Sequence, residues 1–328
     1  MRASFPRLRP VTAAFAALLA LAAPAAAQQE APALRLFSLG AGEVTGGYYA
    51  AASAICNATN RLERGAIRCS PEATPGSRYN IEALRSGQID FAMLQSDWQR
   101  FAYEGSIAFA RQGPMANLRS VFSLYPEELT ILARRGAGVT GVQDLAGRRI
   151  DVGLPASGRR GTALALLAEV GLEAGDFAAM AELPTNAALQ ALCQDRIDAT
   201  LLVTGHPNAA VARGIRDCGL EIVPLEPGLI DRLLAASPDY LRRTIPAGLY
   251  PPLDRPVETF AVMATMVTRD DVPADVAEKV VADTLAELPV LKVIVPTLRD
   301  MRPAAMRKDG LTAPLHPGAA AAFDRAAP

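Results

Sequence analysis

Leu34-Arg35-Leu36-Phe37-Ser38-Leu39-Gly40-Ala41-Gly42-Glu43-Val44-Thr45-Gly46-Gly47 runs from a short apolar strand straight into a glycine-rich loop. The Ala-rich stretch from Tyr48 to about Asn60 then reads as a helix. Working outward, Ile67 to Pro71 suits a second strand, Ile81 to Leu84 a helix, and Phe91 to Leu94 a third strand. Strands alternating with helices predict an α/β protein with a parallel, helix-covered sheet. A second unit of the same kind begins with a strand at Leu129 to Arg134, a helix-turn-strand at Val142 to Val152 and a helix at Ala163 to Val170.

A weak internal repeat points to two related lobes. Leu84-x-x-Gly87-x-Ile89-Asp90-x-x-Met93-Leu94 matches Leu192-x-x-x-x-Ile197-Asp198-x-x-Leu201-Leu202. Each segment reads as a helix end, a tight turn and a strand. A polar pair follows each strand, Gln95-Ser96 in the first and Thr204-Gly205 in the second. Ligands of open α/β sheets bind at the carboxyl ends of strands, so both pairs are candidates for a shared cleft.

The amino terminus has the form of a cleavable export signal. Arg2, Arg7 and Arg9 precede an apolar run from Val11 to Ala23, and Ala25-Ala26-Ala27 offers a small-residue cleavage site before Gln28. A cysteine for lipid attachment is missing there, and the run is too short for a membrane span. Removing residues 1–27 takes three arginines and leaves 30 basic against 34 acidic side chains, which disfavours nucleic acid as a partner. Four cysteines in an exported chain suggest two disulfides. Pairing of neighbours, Cys56 with Cys69 and Cys193 with Cys218, is favoured over the other two connectivities, and buried free thiols are the alternative.

Three strand-to-helix loops could hold an anion. Gly40-x-Gly42-x-x-x-Gly46 is one residue longer than a dinucleotide loop, and Cys69-Ser70-Pro71 stands where a ribose-binding acid belongs, so no nucleotide cofactor is expected. The other two loops, Thr74-Pro75-Gly76-Ser77-Arg78-Tyr79-Asn80 and Gly153-Leu154-Pro155-Ala156-Ser157-Gly158-Arg159-Arg160, also lead into helices. Ser77 and Ser157 are either helix caps or ligand contacts, and Arg78, Arg159 and Arg160 are candidate anion partners. His206 and His316 each precede proline, away from any nucleophile, metal-ligand set or paired carboxylates. Neither catalysis nor a bound metal is therefore expected.

Several short motifs, taken in order, resemble the TAXI-type solute-binding proteins of tripartite ATP-independent periplasmic (TRAP) transporters. They are the loop from Gly40 to Tyr49, Gly76-Ser77-x-x-Asn80, Gly87-x-Ile89-Asp90 followed by Gln95-Ser96-Asp97, and Leu124-Tyr125-Pro126-Glu127. Further on come Asp144-Leu145-x-Gly147-x-Arg149, Gly153-x-Pro155-x-Ser157-Gly158, Gly205-x-Pro207, Tyr250-Pro251 and Pro314-Leu315-His316-Pro317-Gly318-Ala319. The resemblance implies a type II periplasmic-binding-protein fold, with lobe I at 33–126 plus 266–328 and lobe II at 127–265. It implies a monomer, free in the periplasm, that closes on a small organic anion (a carboxylate, dicarboxylate or acidic amino acid) and delivers it to inner-membrane permease subunits. Gly47, Tyr48, Tyr49, Thr74, Ser77, Asn80, Gln95, Ser96, Ser157, Gly158, Arg159, Thr204 and Tyr250 are the expected ligand contacts. Tyr48 and Arg159 depart from the usual family pattern, the latter adding positive charge. A receptor-presented sensor module or an ABC importer's binding protein would share the fold.

Overall fold

The computed structural model describes residues 34–326; the expected signal at 1–27 lies outside the described residues. Two long strands organise the chain, β4 (Leu118–Arg134) and β10 (Val257–Arg269), which pair antiparallel over much of their length. On one flank, β10 continues to β3 (Phe91–Gln95), β1 (Arg35–Gly40) and β2 (Ile67–Glu72). On the other, β4 continues to β7 (Ala199–Thr204), β5 (Arg149–Asp151) and β6 (Ala179–Ala181). The sheet order is therefore 2-1-3-10 against 4-7-5-6, with the two short strands β8 (Leu220–Val223) and β9 (Leu241–Ile245) pairing to β4 and β10.

Within each flank the three outer strands are parallel, and each is joined to the next by a helix. The expectation of a purely parallel sheet is corrected at the centre. There β10 runs antiparallel to β3, and β4 runs antiparallel to β7. The strand expected only from Leu129 to Arg134 begins 11 residues earlier, at Leu118, and its register with β10 shifts next to Pro126. This is the two-lobed α/β fold of type II periplasmic binding proteins.

The internal repeat is real in the fold. Helix α2 (Ser77–Arg85) feeds β3 as α5 (Thr185–Cys193) feeds β7. The repeated aspartates do the same work: Asp90 accepts from the Ser38 amide at 2.8 Å, and Asp198 from the Arg149 amide at 2.9 Å, each tying its turn to the adjacent strand. Flanking arginines hold Asp198 well below the usual carboxylate range, Arg149 foremost.

Side chains are small where helices meet the sheet. Helix α1 (Gly47–Leu62) buries Ala51, Ala52, Ala54, Ile55, Cys56 and Ala58, and β3 is buried throughout because helices cover both faces. One core combines residues such as Phe37, Ile55 and Phe91 with Met266, Val280 and Phe323, so the carboxyl-terminal helices return to the first flank. A second unites Leu129, Ile150, Leu166, Leu201 and Phe260. Helices α8 (Ala274–Ala286) and α11 (Pro317–Ala326) pack closely at Gly318, where any Cβ would collide with the Ala274 carbonyl.

Cys56 of α1 is bonded to Cys69 of β2, and Cys193, at the end of α5, to Cys218, which ends α6 (Ala209–Cys218). The first bond clips α1 to β2 and the second clips α5 to α6, each within one flank. Protein denatured without reductant should yield no free thiol to an alkylating probe. Replacing Cys193 and Cys218 together by alanine should lower unfolding stability by about 2–5 kcal/mol in chemical denaturation. Titratable thiols in the native protein would contradict the pairing.

Candidate functional site

Six parallel strands each end at a loop that opens a helix, and all six helix N-termini contribute to one cleft. Gly46 and Gly47 come from α1, Gly76 and Ser77 from α2, and Gln95 caps α3 (Ser96–Glu104). Opposite them stand Ser157 and Gly158 of α4 (Gly158–Glu169), Thr185 of α5, and Asn208, which caps α6. The cavity they enclose measures about 100 Å³. The positive ends of six helix dipoles thus face a common cavity, a setting that favours an anion.

The two flanks touch around this cavity. Glu43 accepts a hydrogen bond from the Thr185 amide at 2.8 Å, and the Tyr79 amide donates to the Ala156 carbonyl at 3.1 Å. Arg100 pairs with Asp239 at 2.6 Å. Gly158 lies so close to Gln95 and Ser77 that a Cβ there would clash with Gln95 Oε1 and stand 2.6 Å from Ser77 Oγ. Glycine is required at this contact by approach rather than by backbone angle.

Of the residues expected from the sequence, Gly47, Tyr48, Ser77, Gln95, Ser157, Gly158, Arg159 and Thr204 line the cavity. Ser157 caps α4 by accepting from the Arg160 amide at 3.2 Å, as its position before the helix suggests. Ser77 is not a cap: Gly76 holds that place, and Ser77 Oγ accepts instead from the Gln95 amide at 3.1 Å, joining α2 to the end of β3. Gln95 Oε1 is buried with no hydrogen-bond partner among the described residues.

The other expected contacts support the loops from behind. Asn80 is fully buried and donates to the Ala41 and Met93 carbonyls at 2.8 and 2.9 Å. Thr74 donates to the Ala41 carbonyl and accepts from the Gly76 amide, and Ser96 Oγ accepts from the Met263 amide. Tyr49 packs against the first core. Tyr250 is 3% exposed, and its hydroxyl meets His206 and the Asn208 amide at 2.6 Å, holding the start of α6. None of these five lines the cavity.

Arg159 is placed at the cavity but is not a free anion clamp. Its guanidinium pairs with the fully buried Asp151 and donates to Thr200 Oγ1 at 2.7 Å and to the Leu201 carbonyl at 2.6 Å. Asp151 also accepts from the Leu183 amide at 2.7 Å. The pair therefore fastens the α4 loop to β5 and β7, and a reversal of charge at Arg159 would act first on this buried pair. Arg78 pairs with Glu82 and Arg160 with Glu182, and neither lines the cavity.

Glu43, Glu127, Thr185 and Asn208 are lining residues that the sequence reading did not single out. Glu43 and Glu127 lie inside quoted motifs, and Asn208 before an Ala-rich run carried a cap signal. Glu127 accepts from the Tyr48 hydroxyl at 2.6 Å. Burial pushes its carboxyl up to about 8, and Asp97 and Glu128 add to the rise. Folding thus favours the protonated form, so this group removes stability as pH rises from the ordinary carboxyl range to about 8. Glu127→Gln should raise the thermal unfolding midpoint above that of wild type at about pH 8.5 and leave it unchanged near pH 4. A gain of equal size at both pH values would show that titration of Glu127 is not its cause.

Likeness to solved structures is a likeness of fold. A protein from Bordetella bronchiseptica RB50 superposes with a TM-score of 0.52 at 15% identity, covering 80% of this chain and 76% of that one. The alkanesulfonate-binding protein SsuA from Xanthomonas axonopodis pv. citri, bound to MOPS, gives 0.47 at 14% identity, over 88% and 83% of the two chains. A putative L-cystine ABC transporter protein from Listeria monocytogenes gives 0.47 at 13% identity, over 81% and 96%. The NMT1-like family model matches residues 39–325, nearly the whole described chain, and the protein belongs to that family.

Proposed function

We propose that this chain is an exported solute-binding protein that closes on one small organic anion and presents it to a membrane transporter. The observation that carries this reading is the convergence of six helix N-termini, three from each flank, on one cavity. A carboxylate would meet amide dipoles there, while a hydroxyl or amine of the same ligand would satisfy Gln95 Oε1. The lining supplies one guanidinium, already neutralised by Asp151, so a ligand with a single carboxylate, such as a hydroxy acid, fits better than a dicarboxylate.

The lobes in this reading are 33–126 with 266–328, and 127–265, moving about the β4 and β10 crossovers. Ligand would favour the closed form by bridging Ser77 and Gln95 to Ser157, Gly158 and Thr204. The TAXI-like motifs support a TRAP-type permease as partner. An ABC importer is the second reading, since it uses the same fold and the same two-lobed surface. The reading needs no turnover.

Native mass spectrometry of protein from its host should show one small acid retained per chain. In calorimetry with that acid, Gly158→Ala should lose at least about tenfold in affinity, because the added methyl separates the flanks. Circular dichroism should remain that of the wild type. Undiminished binding by a folded Gly158→Ala protein would place the ligand elsewhere.

A further inference from the structure

A second cavity, of about 250 Å³, shares no lining residue with the first. Glu127 and Glu128 are successive residues of β4, and the strand's pleat sends the first into the small cavity and the second into the large one. The large cavity is walled by β4, by β9 and by the carboxyl-terminal segment from Thr297 to Asp309.

Three buried oxygens of residues at this cavity, Ser123 Oγ, Glu128 Oε2 and Thr297 Oγ1, have no hydrogen-bond partner among the described residues. Ser123 and Glu128 are 2% and 5% exposed, so bulk solvent does not satisfy them. Orphaned polar atoms are rare in folded proteins, and three at one cavity mark a place where polar atoms from outside the chain complete the set. Glu128 Oε2 and the two hydroxyls can each accept a hydrogen bond from a ligand hydroxyl.

Guanidinium groups supply the other half of the chemistry. Arg243 lies 3.3 Å from Glu128 Oε1, and Arg299 and Arg302 stand at the same cavity. Arg302 has no ion pair among the described residues. His206 carries no charge to the site, since burial lowers it to about 4 and its two ring nitrogens face Thr130 and Tyr250. Asp300, which pairs with Arg299 at 3.4 Å, and Asp309 also line the cavity, so the guanidinium left to meet a ligand carboxylate is that of Arg302.

We propose that this cavity is a second solute site, for a small polyhydroxy carboxylate whose acid group meets Arg302 beside Arg299 and whose hydroxyls complete Ser123, Glu128 and Thr297. The volume equals that of about eight water molecules, the scale of a six-carbon sugar acid. Tyr125 partitions the two cavities, with its hydroxyl pressed against the Gly47 backbone.

Gluconate is the probe, titrated calorimetrically into the wild type, Gly158→Ala, Thr297→Val and the Arg299→Gln/Arg302→Gln double variant. Both arginines are exposed, so the double variant should fold even if Thr297→Val does not. Gluconate should bind the wild type and Gly158→Ala alike, and bind the arginine double variant at least about tenfold more weakly. No binding up to about 10 mM, or binding lost in Gly158→Ala and kept in the arginine variant, would overturn the proposal.

Discussion

The pairing of β4 with β10 is the constraint on which the rest depends. Both strands belong to both flanks, so their antiparallel ladder is the seam along which two three-stranded parallel units are joined. Antiparallel neighbours at the seam reverse the direction of one unit relative to the other. That reversal lets the carboxyl ends of β1, β2 and β3 face those of β5, β6 and β7. The ends of β1, β2, β5 and β6 must be followed by a helix, because a parallel strand needs a crossover to reach the next strand of its unit, and helices also follow β3 and β7. Convergence of the six helix N-termini is thus a consequence of topology before it is a property of any side chain.

Side chains then decide how closely the ends approach. Glycines at 47, 76 and 158 keep backbone amides uncovered, and Asn80 and Asp151 hold the loops behind them by hydrogen bonds to main-chain groups. Asp151 would be prohibitive to bury alone; Arg159 and Thr200 make it tolerable and give the α4 loop one conformation. Residues that look like ligand contacts on grounds of polarity therefore divide into a lining layer and a supporting layer. The supporting layer is the more buried of the two.

Much of this was legible in the sequence because it is local. The run from Leu34 to Gly47 shows its strand, loop and helix in a single pass, and the Ile-Asp repeat at 89–90 and 197–198 marks the duplicated unit through residues that cap the same strand position. Loop polarity drew attention to Ser77, Gln95, Ser157 and Thr204, which line the cavity. What escaped was non-local. Nothing near Arg159 in the chain announces that Asp151 will pair with it while Thr200, forty-one residues away, completes the cluster. Asn80 and Ser96 have the composition of contacts, and only the packing of α2 and β10 against β3 turns them inward. Glu127 was hidden for a related reason. Its role depends on Tyr48, seventy-nine residues earlier.

In the proposed reading, an anion site built from helix dipoles rather than a free guanidinium has a consequence for delivery. A guanidinium facing a carboxylate holds full opposite charges together whether or not the lobes are closed, provided both sit on one lobe. Helix dipoles act only within about one turn of the helix end, so a ligand is held well only while both sets of N-termini are close. Parting the lobes by a few ångströms would remove half the donors at once. Affinity in that reading is concentrated in the closed state, which would let ligand drive closure and opening release it. Asp151 strengthens this arrangement by neutralising Arg159 within its own flank, and Glu43, bonded across the cleft to the Thr185 amide, ties the closed state to a contact that opening must break.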